Sequence, residues 1–125
     1  MVTITAVGLE SRARFLNGAT PVTAFTYMAV GSGTTAESTA HTALVTEIAA
    51  DGLERVAATC TYVADYTTRW DKTFACTGTH TVTEIGIFND PTAGNMYLRH
   101  KFTAGISLVT GQNIRFIIDD VQAQA

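Results

Sequence analysis

Apolar and polar positions alternate along most of the chain beyond residue 52, and that period of two predicts strands. In residues 53–65, Leu53, Arg55, Ala57, Thr59 and Thr61 face one way, with Val56, Ala58, Cys60 and Tyr62 opposite. Residues 69–77 set Trp70, Phe74 and Cys76 against Asp71, Thr73 and Ala75. Residues 80–88 carry Val82, Glu84 and Gly86 against Ile85 and Ile87, until Asn89-Asp90-Pro91 breaks the run. In residues 96–102, Met96, Leu98, His100 and Phe102 share a face; residues 103–111 read as a glycine-punctuated connection. Residues 112–121 close with Ile114, Phe116 and Ile118 against Arg115, Ile117 and Asp119.

The first half is more mixed. Leu9, Ala13 and Leu16 recur at helical spacing, predicting a short helix over 8–17 that packs through that stripe. Asn17-Gly18 stops it, and Pro21 lies in the following turn. Residues 23–30 are aromatic and β-branched and predict a strand, with a loop after it from Gly31 to Thr35. Residues 37–50 are ambiguous, a loop with a short helical or extended piece near 43–48, and Asp51-Gly52 is a turn. About six strands with turn signals between them are the pattern of an antiparallel sandwich or barrel.

Composition narrows the function classes. At 125 residues the chain fits one domain with its own core. Charged residues are 15%, well below the ~25% usual for soluble domains, and roughly one residue in six is Thr. A Thr-rich, weakly charged surface suits packing against other subunits. The net charge of -3 and the lack of a basic stripe argue against nucleic acid, and the pairs Arg12/Arg14 and Arg99/Lys101 read as solvated surface. No apolar run approaches the ~18 residues of a membrane span, and the N-terminus lacks a signal-peptide pattern, so no membrane association is expected.

Candidate chemistry is sparse. Cys60 and Cys76 have neither redox nor zinc spacing. If a hairpin turns near Thr67–Thr68, the two lie near-opposite as buried free thiols, on the face of Tyr62, Trp70 and Phe74. Gly31-Ser-Gly-Thr-Thr-Ala36 fits G-x-G-x-x-A, with Asp51 and Glu54 about twenty residues on. A dinucleotide site needs alternating strands and helices, however, and only strands follow. His41, His80 and His100 are far apart. Asp119 and Asp120 are adjacent on a strand and point to opposite faces, so they do not form a catalytic pair. No G-x-S-x-G elbow occurs. The expectation is a non-enzymatic protein without cofactor or metal.

Four stretches together resemble a family of tailed-bacteriophage virion proteins: Phe25-Thr-Tyr-Met-Ala-Val-Gly-Ser-Gly-Thr-Thr-Ala36, Thr42-Ala-Leu-Val-Thr-Glu47, Thr83-Glu-Ile-Gly-Ile-Phe-Asn89 and Gly94-Asn-Met-Tyr-Leu-Arg99. The resemblance implies structural roles. Gly31 and Gly33 would make a tight exit from a core strand, with Thr hydroxyls satisfying the turn. Glu84 would be a structural carboxylate, and Gly86 a point where another backbone packs closely. It also implies a β-sandwich of jelly-roll type with a short N-terminal helix and an extended N-terminal segment, working as a homo-oligomer on the particle. The leading expectation is a capsid cement or decoration protein bridging subunits of the major capsid protein. The alternatives are a tail, baseplate or fibre-attachment subunit bound to tail proteins, and a carbohydrate-binding module using Trp70, Tyr62, Tyr66 and Tyr97. Contact regions are expected at chain ends and loop tips: Met1, Val2 and Thr3, Tyr66, and Asp90 with Pro91.

Overall fold

A computed structural model describes residues 2–19 and 22–122; Met1 and Pro21, both given roles above, lie outside the described residues. The chain forms the expected antiparallel β-sandwich with one short N-terminal helix. Its elements are β1 (Thr3–Ile4), α1 (Ala6–Asn17), β2 (Tyr27–Gly31), β3 (Val56–Ala57), β4 (Thr59–Val63), β5 (Thr67–Ala75), β6 (His80–Phe88), β7 (Met96–Leu108) and β8 (Asn113–Val121). One sheet has the order β1-β7-β6-β2-β3 and the other β4-β5-β8. Between them lies the main core, with Met28, Val30, Trp70, Phe74, Val82, Ile85, Ile87, Leu98, Phe116 and Ile118.

The five-stranded sheet is covered on its other face as well. Residues 32–48 leave the end of β2, cross that outer face and return alongside β2, where Ser32 N–H donates to Thr46 O (2.8 Å) and Ile48 N–H to Val30 O (2.9 Å). A second cluster, Ala29, Leu44, Phe88 and Met96, is buried beneath this covering segment. Double coverage explains why nearly all of β6 from Val82 onward is buried, where simple alternation predicts one wet face.

Several expectations change. The helix begins at Ala6 rather than residue 8, because Thr5 caps it: its Oγ1 accepts from Gly8 N–H (2.9 Å) and donates to Met96 O (2.5 Å). Gly18, at φ 63°, ends it as expected. The packing face is not the Leu9–Ala13–Leu16 stripe, which is exposed, but the small residues Gly8 and Ser11. A Cβ on Gly8 would sit 2.3 Å from Tyr97 O, so its absence lets the helix rest on the backbone of β7. The strand expected at 23–30 is confined to Tyr27–Gly31. The strand expected at 53–65 is split at Ala58, whose N–H bonds to Thr26 O, and its halves join different sheets. The connection expected at 103–111 is largely strand, since β7 runs on to Leu108 against the start of β6.

The β4–β5 turn falls at residues 64–66, with Asp65 and Tyr66 at positive φ, rather than near Thr67–Thr68. That puts Cys60 opposite Trp70, not Cys76. Cys76 is a buried thiol as expected, while Cys60 is exposed.

Gly8→Ala should lower unfolding stability by about 1–3 kcal/mol, because the added methyl meets rigid backbone. Urea denaturation checks this, with exposed Ala13→Ser as the neutral comparison.

Candidate functional site

The four family-like stretches converge on one buried carboxylate. Glu84, in the middle of β6, is fully buried on the covered outer face of the five-stranded sheet. Its Oε2 accepts from Gly33 N–H (2.9 Å) and Thr46 N–H (2.8 Å), and its Oε1 accepts from Val45 N–H (2.9 Å) and Arg99 Nε (2.9 Å). Arg99 is also fully buried. The expectation that Arg99 is solvated surface is therefore overturned: β7 turns it under the covering segment, beside the carboxylate. Among the described residues its Nη1 and Nη2 meet no acceptor, and burying the pair carries a desolvation cost.

The glycines make room for this carboxylate. A Cβ on Gly31 would lie 2.5 Å from Glu84 Oε2 and from Thr46 O, and one on Gly33 would lie 2.5 Å from Glu84 Oε2 and from Val45 Cβ. The glycine loop thus holds the protein's own carboxylate rather than a pyrophosphate. Thr83 Oγ1 donates to Gly33 O (2.7 Å), so a threonine hydroxyl does serve the turn, from the neighbouring strand. Gly86 differs from expectation. A Cβ there would meet the side chains of Leu44 (2.9 Å) from the covering segment, Met96 (3.1 Å) from β7 and Phe88 (3.2 Å) from β6 itself, so side chains rather than another backbone press close.

Two further charged groups hold the covering segment, and neither was singled out from sequence. Glu37 accepts from Thr3 Oγ1 (2.5 Å) and Lys101 N–H (2.9 Å) and lies 3.0 Å from His100 Nδ1. Arg55 bonds Glu47 through two nitrogens, lies 3.6 Å over the Phe88 ring and donates to Asp90 O and Ala93 O. Glu37 stands between Ala36 and Ser38 and Arg55 beside Glu54, so neither interrupts an apolar run and the sequence offered no local signal for them.

Burial pushes the Glu84 carboxyl up, but the N–H groups of Thr46, Val45 and Gly33 and the Arg99 side chain more than offset it, leaving the pKa below its ordinary 4.5. Glu37 is lowered likewise, burial being outweighed by Thr3, Lys101 N–H and His100. Depressed carboxyls contribute stability that is present above their ordinary range and lost as pH falls through the folded values.

The surface positions divide. Val2 and Thr3 are half-buried, with Thr3 paired to Arg99 in the β1–β7 ladder. Tyr66, 72% exposed, sits on the β4–β5 turn. Asp90 and Pro91 lie on the exposed β6–β7 loop, which Arg55 and the bond from Asn95 N–H to Asn89 Oδ1 hold in shape. The structure does not bring these regions together into one site. Of the four aromatics weighed as sugar platforms, Trp70 and Tyr97 are core residues, Trp70 Nε1 donating to Phe25 O (2.7 Å). Only Tyr62 and Tyr66 stand free, each 72% exposed.

A groove of about 330 Å³ separates α1 from the three-stranded sheet, with Phe15, Phe25, Cys60 and Trp70 in its lining. At its rim Tyr97 OH donates to Asp120 (2.6 Å) and accepts from Arg12, which also lies 3.2 Å from Asp120. This triad ties the helix to both sheets. Asp119 turns the other way and pairs with Arg69, so the adjacent aspartates do face apart. On that outer face Arg115 bonds Asp71, completing a strip of four self-paired charges. Among the described residues, no group of three or more His, Cys, Asp or Glu side chains is placed to hold a metal ion.

Comparison with known families defines the class: the chain is a structural protein of the tailed-phage virion, of the fibre type. Residues 13–124 match the family described as Podophage GP4 fiber I protein gp80, and the chain belongs to that family. No curated protein matches the chain.

Glu84→Gln should cost about 3–5 kcal/mol, since it leaves the Arg99 charge buried without its partner. The double replacement Glu84→Leu with Arg99→Met should stay destabilised, because Gly33, Val45 and Thr46 N–H lose their acceptor at about 1–3 kcal/mol each. Chemical denaturation of the three proteins checks both statements, and recovery in the double variant would show that the backbone bonds carry little. Separately, the wild-type melting temperature should be level at neutral pH and fall as the pH drops below about 4, as Glu84 and Glu37 take up protons. Hydrogen exchange at Val45 and Thr46 should accelerate first over that range.

Proposed function

We propose that this chain is a fibre or fibre-attachment subunit of the phage tail, working as a homo-oligomer by surface contact rather than by catalysis. The observation that carries this reading is the family match over residues 13–124, whose description is of a fibre protein. It favours tail over head, and so tail proteins over the major capsid protein as partners. The structure supports a mechanical role. A strip of cross-strand ion pairs satisfies its own charges on the outer face of one sheet, and the other sheet is sealed by a segment bolted through Glu84. Both devices favour a rigid body over a moving one. The exposed positions Tyr62, Tyr66 and Leu16 leave apolar surface for neighbouring subunits.

Immunogold labelling of intact virions should place this protein at the tail, in a small fixed number of copies. Binding of the purified chain to isolated tails but not to isolated heads should agree. Label distributed over the head, with saturable binding to heads, would return the protein to the capsid-cement reading.

A further inference from the structure

We infer that β4 is the strand through which two copies of this chain pair, edge to edge and antiparallel, joining their three-stranded sheets into one continuous sheet. The inference rests on the reading of the chain as a self-assembling subunit and names the surface involved. Among the described residues, Thr59–Val63 are hydrogen-bonded to β5 alone, so the far edge of β4 presents unpaired backbone groups. Thr59 to Tyr62 are exposed on both faces.

An open edge is ordinarily protected by charge, proline, a bulge or a cover. The Thr-Cys-Thr-Tyr-Val run of β4 has no charge and no proline, and its ladder to β5 is unbroken. Its residues are also strong strand formers. The contrast lies within the same sheet: the opposite edge, β8, carries Arg115, Asp119 and Asp120. One edge is guarded and the other is not.

The charge pattern favours a second copy as the occupant. An uncharged strand meets its own antiparallel copy without placing like charges opposite one another. The nearest charges, Arg69 and Asp71 on β5, are already satisfied by Asp119 and Arg115. The packing agrees. Cys60 lies opposite Trp70 and therefore on the core side of the sheet, as does Tyr62 two residues on, yet Tyr62 is 72% exposed. Across the groove Phe15 is 50% exposed. A partner β4 laid alongside would bring its own Cys60 and Tyr62 onto this uncovered side, so apolar burial would add to the backbone bonds.

Sedimentation velocity of the full chain in reducing buffer, over a wide concentration range, tests the inference. The wild type should show a monomer–dimer equilibrium. Tyr62→Lys should weaken it by at least about tenfold, a change of ~1.4 kcal/mol, with the melting curve of the monomer unchanged. Ile117→Lys, on the guarded edge, should leave it as it is. If Tyr62→Lys does not fold, Thr59→Lys takes its place. An oligomer indifferent to the β4 change overturns this pairing and leaves the self-assembly reading intact. Weakening by both changes means that β4 meets β8 of the next copy, which overturns the two-fold arrangement. A wild type that stays monomeric throughout overturns the pairing and self-assembly together, and leaves the tail location to the labelling experiment.

Discussion

Four backbone and side-chain donors from three separate stretches of chain share a single carboxylate, and the outer half of this protein depends on it. Glu84 accepts from the glycine loop at Gly33, from the returning segment at Val45 and Thr46, and from Arg99 on the adjacent strand. Each donor would be costly to bury unpaired, and each finds its acceptor only when the others are in place. The arrangement is therefore cooperative in a way that separate surface bonds are not. It also explains the glycines at 31 and 33, which would collide with the carboxylate if they carried a Cβ.

From that constraint follows the three-layer build. A sandwich of five and three strands needs only one core, between its sheets. Here the covering segment adds a second, smaller one over Ala29, Leu44, Phe88 and Met96. Glu37 fixes the start of the segment to β1 and β7, and the Ser32–Thr46 and Ile48–Val30 bonds fix its return beside β2. With the larger sheet thus closed on both faces, the open features collect elsewhere: the exposed stripe of α1, the β4–β5 hairpin and the groove between them. That division sets a doubly covered sheet on one side and exposed apolar side chains on the other.

Much of the fold was legible from periodicity. The β5, β6, β7 and β8 strands, the turn at Asp51-Gly52 and the Gly18 cap all follow from local pattern. The inward faces of Trp70, Phe74, Phe116 and Ile118 follow from alternation alone. Alternation misleads where the ladder is irregular. The bulges between Val82 and Glu84 and between Ile87 and Phe88 break the strict pairing of β6 with β7. It also misleads at β4, where Tyr62 points to the core side yet is 72% exposed. The helix shows the same limit: its apolar stripe at Leu9 and Leu16 stays outside, because Gly8 lets the small-residue side approach β7 more closely.

The sequence by itself determined the class of fold and the kinship with phage virion proteins, because both are carried by local pattern and short motifs. It could not determine what the motifs do to one another. That Arg99 is buried, that Cys60 faces Trp70 rather than Cys76, and that Gly33 and Glu84 share a bond were decided by strand register and by the path of the covering segment. Register shifts by whole residues when a turn moves or a bulge inserts, and each single shift exchanges the two faces of a strand. Turn position and bulges are set by the fit of the whole core. For that reason the partners of each charged group became visible only in the folded chain.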